Sequence, residues 1–61
     1  MSFVEYLTDT RMKEAMRLLK ETNEKIYVVA QKVGYLESGY FSHVFKKKYG
    51  MSPIQCRRQG Q

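Results

Sequence analysis

Apolar side chains return every three or four residues along this chain, and Gly34 and Gly50 interrupt the returns at two points. Ile26, Val29, Ala30 and Val33 stand at i, i+3, i+4 and i+7, which is one face of a short helix. Phe41, Val44 and Phe45 make a second such face between the glycines. A broader stripe comes first: Phe3, Val4, Tyr6, Leu7, Met12, Ala15, Met16, Leu18 and Leu19 suit a helix of about five turns. No stretch of useful length alternates apolar and polar residues in the manner of a strand. The pattern therefore predicts an all-α fold, a bundle of three to four helices.

The polar residues punctuate the same segments. Ser2 and Glu5 form an S-x-x-E capping box at the first helix start, and Ser52 with Gln55 forms a second, with Pro53 at the favoured first position. Thr22 and Asn23 break the long stripe, and Asn23 is the expected N-cap of the next helix. Gly34 ends that helix at a position suited to positive φ. The expected helices are residues 3–20, 25–33, 38–48 and 53–58. Phe3, Leu7, Leu19, Ile26, Val29, Ala30, Val33, Phe41, Val44 and Phe45 are expected inside.

A chain of 61 residues is one domain at most, near the lower limit for an independent core. A lone cysteine, Cys56, makes no internal disulfide and reads as a half-buried packing residue; with a single histidine no four-ligand zinc site is available. No apolar run approaches the roughly 18 residues of a membrane span, and no signal-peptide pattern is visible at the start. A reducing cytoplasm is the expected compartment. Paired carboxylates, a Ser-His-Asp set and a phosphate-binding loop are all missing, so neither an enzyme nor a cofactor is expected.

Charge divides the chain. Residues 1–30 hold five basic and five acidic groups, whereas residues 31–61 hold six basic groups and one acidic, Glu37. The whole surplus of +5 lies in the second half, which suggests an anionic partner. Helix, glycine-containing turn, helix over residues 26–48 matches a helix-turn-helix pattern, whose second helix fits the DNA major groove. On a wheel of residues 38–48, Gly39, His43 and Lys46 fall opposite the phenylalanines, flanked by Ser42 and Lys47. Small and hydrogen-bonding residues suit base edges, and cations suit phosphates. Blander readings stand beside this one. Lys46-Lys47-Lys48 also reads as a solvated face, with Lys48 turned coreward and snorkelling. His43 also reads as an ordinary surface histidine, and Tyr40 packs against the turn as easily as it touches a phosphate. Arg11 reads as an internal ion-pairing or capping residue.

Met1-Ser2-Phe3-Val4-Glu5-Tyr6 echoes Met51-Ser52-Pro53-Ile54-Gln55-Cys56. As a repeat, the echo places the start of the chain where an earlier copy of one unit ends; as two unrelated helix starts, it carries nothing more.

The segments A-x-x-V-G-Y (Ala30 to Tyr35), Y-F-S-x-V-F-K-K (Tyr40 to Lys47) and G-M-S-P (Gly50 to Pro53) resemble the second helix-turn-helix of AraC/XylS-family bacterial transcription regulators. S-F-x-x-Y-L-x-x-x-R (Ser2 to Arg11) and A-x-x-L-L (Ala15 to Leu19) extend the resemblance over nearly the whole chain. Lys25-Ile26-Tyr27 is similar to members attached to a phosphorylation receiver domain. The resemblance implies a homeodomain-like helix-turn-helix fold and a single partial domain: a linker helix over 1–22 and a helix-turn-helix unit with a short C-terminal helix over 23–61. It implies a missing first unit and a sensor or receiver domain in the parent. It implies that Ser38, Gly39, Ser42 and His43 face the groove, with Lys25 and residues near the chain's end toward phosphate; the wheel itself adds Lys46 and Lys47 as phosphate contacts and leaves Tyr40 as a further candidate. Three positions depart from the family pattern: Glu37 replaces a short Asp-type cap, Gly39 a Ser or Asn, and Cys56 a Tyr. Sequence-specific binding of double-stranded DNA is the leading expectation. The alternatives are a protein-interaction module on the same scaffold and a DNA-binding appendage of a repair protein.

Overall fold

The computed structural model describes residues 2–59. Four helices follow one another: α1 (Phe3–Glu21), α2 (Ile26–Lys32), α3 (Ser38–Tyr49) and α4 (Pro53–Gln59). The long α1 packs against α2 and α4, and α3 packs against α2 and α4 in turn. Met12, Ala15, Leu18 and Leu19 of α1 meet Val29, Ala30, Val33, Phe41, Phe45 and Cys56 in one core.

Local chemistry explains each boundary. The Glu5 amide donates to Ser2 Oγ at 3.1 Å while the Ser2 amide donates to Glu5 Oε2 at 3.4 Å, a closed capping box. The same exchange joins Ser52 and Gln55, at 3.2 and 2.9 Å. After α2 the Tyr35 amide donates to the Ala30 carbonyl at 2.8 Å and the Gly34 amide to Gln31 at 3.1 Å. These two bonds are a Schellman motif, and Gly34 takes φ +96° within it. A side chain there is strained by the left-handed backbone, and an added Cβ would also sit 3.2 Å from the Arg11 guanidinium carbon, so Arg11 would have to shift. Gly50 ends α3 at φ 76°, its amide donating to the Lys46 carbonyl at 2.7 Å.

Several expectations change. Asn23 caps nothing: α1 continues to Glu21, Thr22 is extended, and α2 begins only at Ile26 with Lys25 as N-cap and no side-chain cap. Thr22 Oγ1 instead accepts from the Glu24 amide at 3.3 Å and shapes the connection. Phe3 is 78% exposed rather than buried, and Leu7 is half-buried. The reason is length. A 19-residue helix runs about 28 Å, and partners of 7 to 12 residues cover only part of it, so buried residues occur on α1 only from Met12 onward. Ile26 and Val44 are half-buried at the margin of the core, and Cys56 is buried at 3% exposure rather than half-buried, its Sγ 3.2 Å from Met16 Sδ. Arg11 is half-buried and makes neither an ion pair nor a capping bond among the described residues; its guanidinium carbon lies 5.5 Å from the Tyr35 ring centre instead, a cation–π contact.

Phe45 has no exposure and touches the rings of both Phe41 and Tyr49. Phe45→Ala is expected to destabilise the fold by about 3–5 kcal/mol, which is most of what so small a core supplies. Chemical denaturation followed by circular dichroism measures it, and a loss under 1 kcal/mol contradicts this packing.

Candidate nucleic-acid interface

With Phe41 and Phe45 seated inside, the other side of α3 is fixed outward. Gly39, Tyr40, His43, Lys46 and Lys47 are exposed, and Ser38 and Ser42 are half-exposed beside them. The N-terminal end of this face is low, since a Cβ added at Gly39 meets nothing within 4 Å. The C-terminal end carries the charge. Lys46 and Lys47 make no ion pair among the described residues. Seven of the eight residues picked out in the sequence thus share one helix, and the eighth, Lys25, stands exposed at the start of α2. Tyr40 packs against the turn, its ring 5.8 Å from that of Tyr35, and the residue remains 60% exposed.

The start of α3 is weakly built. Glu37 is its N-cap and makes no side-chain cap bond, in keeping with the poor capping geometry of Glu. No acidic residue lies in the first turn either. The three lysines of the last turn instead complement the negative end of the helix dipole.

Two electrostatic contacts were not visible in the sequence. Lys48 Nζ ion-pairs with Asp9 of α1, and Asp9 also holds Lys13 at 3.0 Å. Hydrogen bonds from Lys48 first and Lys13 second hold the Asp9 carboxyl below its ordinary 3.8, and Asp9 raises the Lys48 ammonium in return. Arg57 Nε donates to the Leu19 carbonyl at 3.0 Å and Nη2 to the Thr22 carbonyl at 3.3 Å, closing the C-terminal end of α1. Both partners lie 35 or more residues apart, beyond the reach of any periodicity argument. Val4, Glu5, Thr8 and Asp9 of α1 and Tyr40, His43, Val44, Lys47 and Lys48 of α3 line an open groove beside the outward face. Among the described residues no group of three or more His, Cys, Asp or Glu side chains is placed to hold a metal ion, and no helix is long and apolar enough to cross a membrane.

A model of the helix-turn-helix domain matches residues 1–59. The chain belongs to the helix-turn-helix domain family. Its affinity is with the AraC-type regulators, as the resemblance in its sequence implies. Over 54 residues this helix-turn-helix domain is 46% identical to the transcriptional regulator YisR of Bacillus subtilis, which covers 88% of this chain and 19% of that protein. The C-terminal domain of AraT, a response regulator from Geobacillus stearothermophilus, superposes with a TM-score of 0.94 at 46% identity over 97% of this chain and 49% of that one. A DNA-binding transcriptional dual regulator from Escherichia coli K-12 gives 0.94 at 33% identity over 98% of this chain and 54% of the other. The chain thus spans about a fifth of the curated relative and half of each solved structure.

Asp9 has a consequence for stability. Because its folded-state carboxyl is lowered, its ion pairs stabilise the domain above about pH 4, and that contribution is lost as the pH falls through the lower folded value. The thermal midpoint of the native chain is expected to fall more steeply between about pH 5 and pH 2 than that of Asp9→Asn. Glu14, lowered by Arg17, is common to both proteins, so the difference isolates Asp9. Parallel curves contradict the pairing.

Proposed function

We propose that this helix-turn-helix domain binds double-stranded DNA sequence-specifically, with α3 lying in the major groove, as part of a bacterial, cytoplasmic transcription regulator. The observation that carries the proposal is the outward face of α3. Low, hydrogen-bonding residues at one end lead at the other to lysines without an ionic partner among the described residues, as base edges and flanking phosphates require. Ser38, Gly39, Ser42 and His43 approach base edges in this reading. Lys46 and Lys47 neutralise phosphates, and Tyr40 and Lys25 meet the backbone at the margins. The domain acts by binding and not as an enzyme.

Residues 1–22 serve as a linker helix and 23–61 as the second unit of a bipartite reader, whose first unit and sensor or receiver domain belong to the parent protein. Two things support this: the solved relatives are about twice as long, and Phe3, Val4 and Tyr6 are left exposed at the free end of α1.

Half of a bipartite reader makes few phosphate contacts, so weak, salt-sensitive binding is expected. Titration of a labelled duplex at low and moderate salt tests it. Binding that ignores salt, or none at low salt, favours a protein partner. Lys46→Gln and Lys47→Gln are each expected to weaken all sequences about equally and to flatten the salt dependence, a slope change of roughly 0.9 per lost phosphate contact.

His43→Ala is expected to act differently, changing the preference among sequences by roughly 1–3 kcal/mol at one base pair. Competition among duplexes differing at single positions measures it, and one common factor for every sequence makes His43 a bystander.

A further inference from the structure

We propose that Asp9 masks Lys48 from DNA, so that α3 presents two of its three consecutive lysines to phosphate, and that this carboxylate thereby sets the charge count of the recognition helix. The proposal rests on the DNA-binding reading above and goes beyond it by assigning a role to a residue on another helix.

Lys46, Lys47 and Lys48 follow one another at about 100° per residue, so their side chains fan over roughly 200° around α3. Lys46 and Lys47 point to solvent and have no ionic partner among the described residues. Lys48 turns toward α1, where its ammonium meets Asp9 Oδ1 and lies 5.7 Å from the Tyr49 ring centre. The other carboxylate oxygen, Oδ2, takes Lys13 at 3.0 Å. Asp9 thus spends one oxygen along its own helix and the other across to α3. Its side chain is only 25% exposed, and that of Lys48 32%, against 72% for Lys13.

A carboxylate beside a surface that meets a polyanion is costly in itself, because like charges repel. An exposed ion pair returns little stability. The effect on binding is larger. Each cation that engages a phosphate releases condensed counterions, which multiplies affinity by roughly 3- to 10-fold near 0.1 M salt whatever the sequence. A third lysine on phosphate strengthens binding to every sequence alike and dilutes the share carried by base contacts. Tethering Lys48 to Asp9 withholds that sequence-blind contribution.

The test compares salt slopes of duplex binding for five variants of this chain, with circular dichroism as the check on folding. Lys46→Met and Lys47→Met are expected each to lower the slope by about 0.9, and Lys48→Met to leave it unchanged. Asp9→Asn is expected to raise it by about 0.9 and to tighten binding to all duplexes roughly 3- to 10-fold near 0.1 M salt. The double variant Asp9→Asn/Lys48→Met returns to the native slope, which separates Lys48 from Lys13. Lys48→Met leaves Lys13 on Asp9, so it tests the masking even where Asp9→Asn fails to fold. In lysine-labelled native protein, the Lys48 ammonium resonance keeps its position when DNA is added while those of Lys46 and Lys47 move. A slope lost in Lys48→Met, or a gain in Asp9→Asn that survives in the double variant, overturns the masking while leaving the DNA reading intact. No binding by the native chain at low salt overturns both.

Discussion

Phe41 and Phe45 lie one turn apart on α3, both without exposure, their ring centres 5.9 Å apart. Tyr35 packs on one end of this pair and Tyr49 on the other, so four rings run in a row through the bundle. Each large ring buries on the order of 150–250 Å² and fixes a rotation about the helix axis. Once two positions on a helix are set inward, every other position has its direction decided. The outward placement of His43, Lys46 and Lys47 is in this sense a consequence of what Phe41 and Phe45 do on the opposite side.

That dependence explains what was legible in the sequence. The short helices repeat their apolar residues at close to ideal spacing, so α2, α3 and the face of α3 follow from local pattern alone. The capping boxes at Ser2 and Ser52 and the glycine stops are equally local, and all four occur. Phe3 misled because periodicity reports which side of a helix is apolar and cannot report how far the neighbours extend along it. Asn23 misled because Thr22 and Asn23, both of good capping type, follow the end of α1, whereas α2 begins only at Ile26, which packs against the core. The Asp9–Lys48 and Arg57–Leu19 contacts needed the tertiary arrangement itself, as no sequence rule links residues so far apart.

The small core also leaves few places where polar groups must be satisfied inside. No buried polar or charged side chain occurs among the described residues, and no buried side-chain nitrogen or oxygen lacks a partner. Charged residues do their structural work at the rim. Arg57 ties α4 to the end of α1, Lys32 pairs with Glu24 at 2.5 Å across the start and end of α2, and Asp9 ties α1 to α3. With the centre apolar and these charges engaged at the rim, Lys46 and Lys47 on α3 are left without an ionic partner among the described residues.

The hydrogen-bonded turn at Gly34 bears on the kinetics of recognition. Ala30 and Gln31 accept the amides of Tyr35 and Gly34, and Arg11 closes over the turn from α1, so the connection has little freedom left to lose. The angle between α2 and α3 is settled during folding, and the ordering entropy is incurred there. In the proposed DNA-binding role, a helix already held at its docking angle would meet the groove as a rigid body. Encounter is then governed by diffusion and charge, and differences among sequences register chiefly in how long the complex lasts.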